Sequence, residues 1–178
     1  MAGGETSWYI IMADAITAVE IMNTDTLVWS RVASLPHPCF KASLTIFGDQ
    51  IYMLGGVDNQ GKTKPVLTCS LTELLQSSSS SLSIWHRVAD APAYWSTCAV
   101  VNGKLLAVGG CYRSCEPTFA IHKYNPATNS WDLISNMQTA RYLSFVAALP
   151  TNEMMVVGGR SDKQLTVTTV FEVSKLSL

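Results

Sequence analysis

The chain has 178 residues and a formal net charge of −1, with 14% charged and 48% hydrophobic residues. That length is one ordinary domain and that apolar share is ample for a core, while the near-zero charge gives no electrostatic footprint for nucleic acid or an anionic membrane. No stretch reaches the roughly 18 apolar residues of a membrane span, the apolar region from Trp8 to Met22 being broken by Asp14 and Glu20, and no secretory signal is read, so a cytoplasmic protein is expected.

Gly3-Gly4 begins a series of glycine pairs that returns at Gly55-Gly56, Gly109-Gly110 and Gly158-Gly159. A tryptophan at a matching place, Trp29, Trp85 or Trp131, stands between successive pairs. A doublet and an indole recurring together at about 50 residues mark a repeat architecture. In the first unit Trp8-Tyr-Ile-Ile-Met12 is open to reading as an apolar second strand, with Ala13-Asp14 in place of the glycines. Ala18 to Trp29 then reads as a strand, an Asn-led turn and the tryptophan that starts a further strand towards Pro36.

The second unit starts with a strand from Ala42 to Phe47, followed by Gly48-Asp-Gln-Ile-Tyr-Met-Leu-Gly-Gly56. Turn formers, four apolar residues and paired glycines suit a strand covered on both faces, the apolar run being too short for a buried helix. Val66 to Trp85 spans 20 residues where Ala18–Trp29 and Ala120–Trp131 each span 12. The excess is the tract Gln76-Ser-Ser-Ser-Ser-Ser81, expected as a solvated loop. The third unit repeats the pattern: a strand from Thr97 to Val101, then Asn102-Gly-Lys-Leu-Leu-Ala-Val-Gly-Gly110. Its Asn-Gly is a hairpin signal because both residues tolerate the positive φ of a type I′ turn. After Trp131 comes Asp-Leu-Ile-Ser-Asn-Met-Gln138, and the last unit contains a strand from Leu143 to Leu149 and the segment Thr151 to Gly159. No stretch reads as helix, so the expected class is all-β.

One unit is thus four short antiparallel strands, and such a sheet buries both faces only against others of its kind. Radial stacking of these sheets is the β-propeller. The repeated tryptophans are expected between neighbouring blades rather than against a ligand. Burying roughly 150–250 Å² of indole at about 25 cal/mol/Å² contributes on the order of 4–6 kcal/mol as an upper bound.

A strand ending in Gly-Gly, then an aromatic and a tryptophan at set spacing, resembles the kelch repeat over essentially the whole chain. Tyr124 with Trp131 is the closest copy of the family's Tyr and Trp pair, and Met137-Gln-Thr-Ala-Arg141 resembles the family's opening of a blade. Met22 stands where Tyr124 predicts an aromatic, and Cys39 and Ala93 stand near the place of Arg141. The expected organisation is a partial blade at 1–36, full blades at 37–92 and 93–138, and a partial blade at 139–178. That is about three and a half blades, short of the four to eight that typically close a ring. An open ring is expected, with the missing blades supplied by self-association or by a longer chain.

Five cysteines, Cys39, Cys69, Cys98, Cys111 and Cys115, without paired spacing suggest reduced thiols, with Cys69 and Cys98 in the core. Cys111 and Cys115 flank a loop, but a structural zinc site wants four ligands and no second pair has matching spacing. His37, His86 and His122 occupy unrelated places in their repeats, and no catalytic triad, phosphate-binding loop or paired carboxylates can be assigned. No catalytic residue, cofactor or metal is therefore expected. The oxidases and other enzymes built on similar propellers are the alternative reading, and a truncated fragment without a role of its own is a further one.

By the resemblance, loops at the blade rims recognise a protein partner, as a scaffold or as the substrate-recognition part of a ubiquitin ligase. The loops after the glycine pairs carry the candidate binding residues: Asp58, Asn59 and Lys62; Tyr112, Arg113 and Glu116; Arg160, Asp162 and Lys163. Rigid sheets beneath mixed polar, aromatic and Arg loops are a usual way to present binding groups. No partner identity is legible.

Overall fold

A computed structural model describes residues 15–81, 84–112 and 116–161, together with the backbone of 171–175. Gly3-Gly4, Trp8 to Met12, Arg113, Cys115, Asp162 and Lys163 lie outside the described residues.

Four antiparallel sheets follow one another along the chain. The first pairs β1 (Glu20–Met22) with β2 (Trp29–Arg31). The second has the order β3 (Ser43–Phe47), β4 (Gln50–Leu54), β5 (Leu67–Ser70) and β6 (His86–Arg87). The third sheet likewise contains β7 (Thr97–Val101), β8 (Lys104–Val108), β9 (Ala120–Asn125) and β10 (Ser130–Asn136). The fourth joins β11 (Phe145–Ala148), β12 (Glu153–Val157) and β13 (Phe171–Lys175). Two complete four-stranded blades with partial ones on either side are thus an open propeller, and among the described residues no strand pairing joins the first sheet to the last.

The local chemistry of each hairpin is the one its residues dictate. Asn102 and Gly103 both take positive φ, 48° and 66°, as the tight turn between β7 and β8 requires. The apolar runs become second strands covered on both faces: Leu105, Leu106, Ala107 and Val108 of β8 are all buried. Gly110 ends that strand at φ 111°, where a Cβ would stand 2.7 Å from the Tyr94 carbonyl oxygen. Only glycine lets these two backbone segments approach so closely.

The tryptophans close the gaps between blades, with one exception. Trp131 donates its indole N–H to the Ala89 carbonyl at 3.1 Å, and Trp85 donates to Ala33 at 3.4 Å, four residues after the preceding tryptophan in each case. Tyr124 joins this seam, 5.0 Å from the Trp131 ring and 5.5 Å from Tyr52 of the previous blade. Asn129 accepts from the Tyr124 hydroxyl and from the Ala89 N–H, both at 2.8 Å, and so ties the turn of one blade to its neighbour. Trp29 departs from the expectation, being 63% exposed.

A second correction concerns the long third hairpin, where helix was not expected. Part of its extra length is α1 (Leu71–Gln76). Ser70 caps it by accepting the Glu73 N–H at 3.4 Å, half of a Ser-x-x-Glu capping box. The helix is held because Leu74 is buried with Trp85, Ile51 and Val32. Ser77, at the start of the serine tract, donates to the Leu74 carbonyl and accepts the Ala33 N–H at 2.9 Å. Ser78, Ser79 and Ser80 are exposed, as a solvated tract should be.

Arg141 is 1% exposed and works inside the fold. Its guanidinium donates to the Thr139 and Gly158 carbonyls, so the blade-opening arginine binds the glycine pair of its own sheet.

Candidate functional site: a groove at the rim between two blades

The inner strands β3, β7 and β11 are each preceded by an aromatic residue at one place in the repeat: Phe40, Tyr94 and Tyr142. Each makes an isolated bridge to the residue just after a glycine pair, namely Val57, Cys111 and Arg160. The next residue in each blade, Lys41, Trp95 and Leu143, has φ of 58°, 55° and 54°. Three bulky side chains in the left-handed region are costly, of order 1–3 kcal/mol each, and persist only where the surrounding ladder holds them.

The turn throws Trp95 between its neighbours. Its ring lies 5.5 Å from Tyr142, and the Lys41 ammonium stands over it, 5.4 Å from the ring centroid. Its indole N–H is buried without a hydrogen-bond partner among the described residues. Trp95 lines a groove of about 1180 Å³ whose walls include the loop at 62–65, the segment 90–95, His37, Arg87 and Tyr112. A smaller hollow of about 400 Å³ shares Lys62, Tyr94, Trp95 and Tyr112.

The loop 57–65 is built around Asp58. Its carboxylate accepts the backbone N–H groups of Gln60 and Lys62 at 3.0 and 2.9 Å and pairs with the Lys64 ammonium at 2.7 Å. The Lys64 hydrogen bond, before the backbone donors, holds that carboxyl below its ordinary range. Asp58 therefore shapes the loop rather than offering a charge outward. Asn59 accepts from the Ala15 N–H at 2.6 Å and links the loop to the start of the described chain.

Of the expected binding residues, the fold brings Lys62 and Tyr112 together on the groove, both exposed. Asn59 and Glu116 are exposed but outside its lining, and Arg160 is half-buried at the corresponding corner of the next blade. Sequence reading missed Tyr94, Trp95 and Lys41. A signal was present: Phe40, Tyr94 and Tyr142 stand 16, 16 and 17 residues before the second glycine of their pairs.

Of the side chains able to take part in chemistry, His37, Arg87, Asp90 and Cys111 line the groove, and Cys39, Cys69, Cys98 and His122 do not. Burial raises the Cys39 and Cys98 thiols and pushes Cys69 up to about 11, so these groups stay protonated near neutral pH and are poor nucleophiles. Partial burial lowers His122, which lies in β9 outside the groove lining. Among the described residues no three His, Cys, Asp or Glu side chains come together as metal ligands would, and no helix is long and apolar enough to cross a membrane.

Comparison with known proteins agrees with the repeat. Residues 96–138, which contain the whole β7–β10 sheet, match the family model described as Kelch motif. Human Kelch-like protein 23 is 26% identical over 126 residues, covering 68% of this chain and 20% of its own length. Mouse Kelch domain-containing protein 8B is 26% identical over 151 residues, covering 81% of this chain and 42% of its own. The F-box/kelch-repeat protein At1g67480 of Arabidopsis thaliana is 34% identical over 83 residues, or 46% of this chain and 22% of that one. The chain thus spans less than half the length of each of these relatives.

Proposed function

We propose that this kelch-repeat protein is a non-catalytic protein-binding module that captures a partner in the rim groove between its two complete blades. The observation that carries the reading is the meeting of exposed Lys62 and Tyr112 with Tyr94 and Trp95 around one groove, on turns held by two rigid sheets. Aromatic side chains give contact area at low entropic cost and are enriched where proteins bind one another. Loops anchored on a fixed scaffold are where such groups usually stand. The Arabidopsis relative is named for an F-box beside its kelch repeats, which supports a recognition part, with the partner-delivering machinery elsewhere.

Affinity capture with the wild-type chain and with Lys62→Ala/Tyr112→Ala tests the reading. Both substitutions are at exposed positions, so the variant folds as the parent does, and partner recovery should fall at least tenfold, about 1.4 kcal/mol. Equal recovery by the two proteins would remove the groove as the binding surface. Extending the variant with Arg113→Ala and Arg160→Ala asks whether the neighbouring rim loops contribute.

A further inference from the structure

The smaller hollow is a side pocket of the groove. Lys62, Thr63, Trp95 and Tyr112 line both, while Val57 and Gly61 of the loop 57–65 line the hollow alone. Among the described residues Lys62 is the only charged side chain in the lining of the hollow, and it makes no ion pair. The other charges nearby are already balanced. Asp58 is taken up by Lys64 at 2.7 Å and by the amides of its own loop, and in the wider groove Arg87 pairs with Asp90 at 2.7 Å. Glu116 accepts the Tyr112 N–H through its backbone carbonyl and lies outside both linings.

Trp95 adds a donor with nothing to donate to. Its Nε1 is buried and has no hydrogen-bond partner among the described residues, whereas Trp85 and Trp131 both donate to carbonyls. A buried donor without an acceptor is costly, and a native structure keeps one where a ligand or a water completes it. The Lys41 ammonium over the Trp95 ring is a second cation without an ion pair among the described residues. The corner thus offers positive charge and an open N–H, and no acid lines it.

Resting on the reading of the groove as the binding surface, we propose that the hollow receives one side-chain carboxylate, an aspartate or glutamate of the partner segment lying in the groove. Lys62 is its counter-ion and the Trp95 N–H its hydrogen-bond donor. A single unpaired cation in the lining matches a single negative charge. A phosphate carries close to two and is served by clustered arginines, and the one arginine of the groove is paired with Asp90. The hollow shares its lining with a groove about three times as large, so the acid belongs to a segment that continues along the groove.

A phage-displayed library of random peptides, panned on the wild-type chain, supplies the probe. Selected peptides should share an Asp or Glu at one position. A synthetic selected peptide, read by fluorescence polarisation, should lose at least tenfold in affinity, about 1.4 kcal/mol, when that acid becomes Asn or Gln. Lys62→Ala should lose as much towards the acidic peptide but little towards the amide form, because the two changes remove one contact. Lys62→Arg keeps the charge and should keep most of the affinity. Trp95→Phe keeps a ring without the N–H and should weaken the acidic peptide several-fold, with circular dichroism showing that each variant is folded. Selected peptides that share no acid, yet are lost by Lys62→Ala/Tyr112→Ala, overturn the carboxylate and leave the groove as the binding surface. Peptides that bind this double variant equally well, or a library that yields no binder, overturn both. A tenfold preference for phosphoserine over the acid at the shared position also overturns the carboxylate.

Discussion

Replacing Trp85 by alanine tests the blade-wedging role of the indole most directly, with Trp29→Ala as its internal control. Trp85 is 7% exposed among Ile51, Met53, Leu67 and Leu74, and its N–H is bonded to Ala33. Removing roughly 150–250 Å² of buried ring at about 25 cal/mol/Å² bounds the transfer loss near 4–6 kcal/mol. Buried Trp→Ala changes typically cost about 3–5 kcal/mol, so about 4 kcal/mol is expected. In a chain of this size that lowers the thermal midpoint by about 8–16 °C. Trp29 sits in the equivalent place but is 63% exposed, and its replacement should cost about 1 kcal/mol or less. Urea unfolding followed by far-UV circular dichroism reads both, avoiding the fluorescence that the substitutions remove. Equal losses at the two positions, or less than about 1 kcal/mol at Trp85, would refute the claim that position in the array rather than place in the repeat decides what the indole contributes.

Gly110→Ala should cost at least about 2 kcal/mol in the same assay, because its Cβ would meet Tyr94 O at 2.7 Å and Ser96 Oγ at 2.5 Å; Gly48→Ala, with nothing within 4 Å, should cost less. Iodoacetamide near neutral pH should leave Cys69, Cys98 and Cys111 unmodified in the native chain, all three being buried, and should label them once urea unfolds it, as peptide mass spectrometry will show. His122 is held below its ordinary pKa by burial, so the folded state favours the neutral ring. Its contribution to stability is present above about pH 6.5 and declines as pH falls through the folded value. His122→Gln should flatten that part of a stability–pH profile, and an unchanged profile would show that the ring is not the titrating group.

Much of the fold was legible because it is written locally. Asn102-Gly103 specifies its turn through the conformations those two residues tolerate, and the four apolar residues before Gly109 specify a strand buried on both faces. The helix Leu71–Gln76 was harder to see: six residues carry too little periodicity, and the cue that existed was the Ser70 and Glu73 spacing rather than the apolar pattern. The loops after the glycine pairs were legible from the repeat, but which of their residues converge was not readable. Asp58 and Lys62 are four residues apart, yet one carboxylate is absorbed by Lys64 and the loop amides while the other side chain stands exposed at the groove.

What the sequence determined by itself was the repeating unit: its strands, its glycine-closed turns and the four-stranded blade they build, because turn geometry and strand burial depend on residues within a few positions of one another. Only the tertiary structure decided that Trp85 is buried and Trp29 is not, that Tyr94, Trp95, Lys62 and Tyr112 surround one groove, and that Leu44 and Phe145 are left facing outward. Each of these outcomes depends on whether a neighbouring blade supplies a covering surface, as it does 42 to 55 residues away in sequence for Trp131, Trp85 and Cys98. Equivalent residues in a repeat therefore share a conformation without sharing an environment.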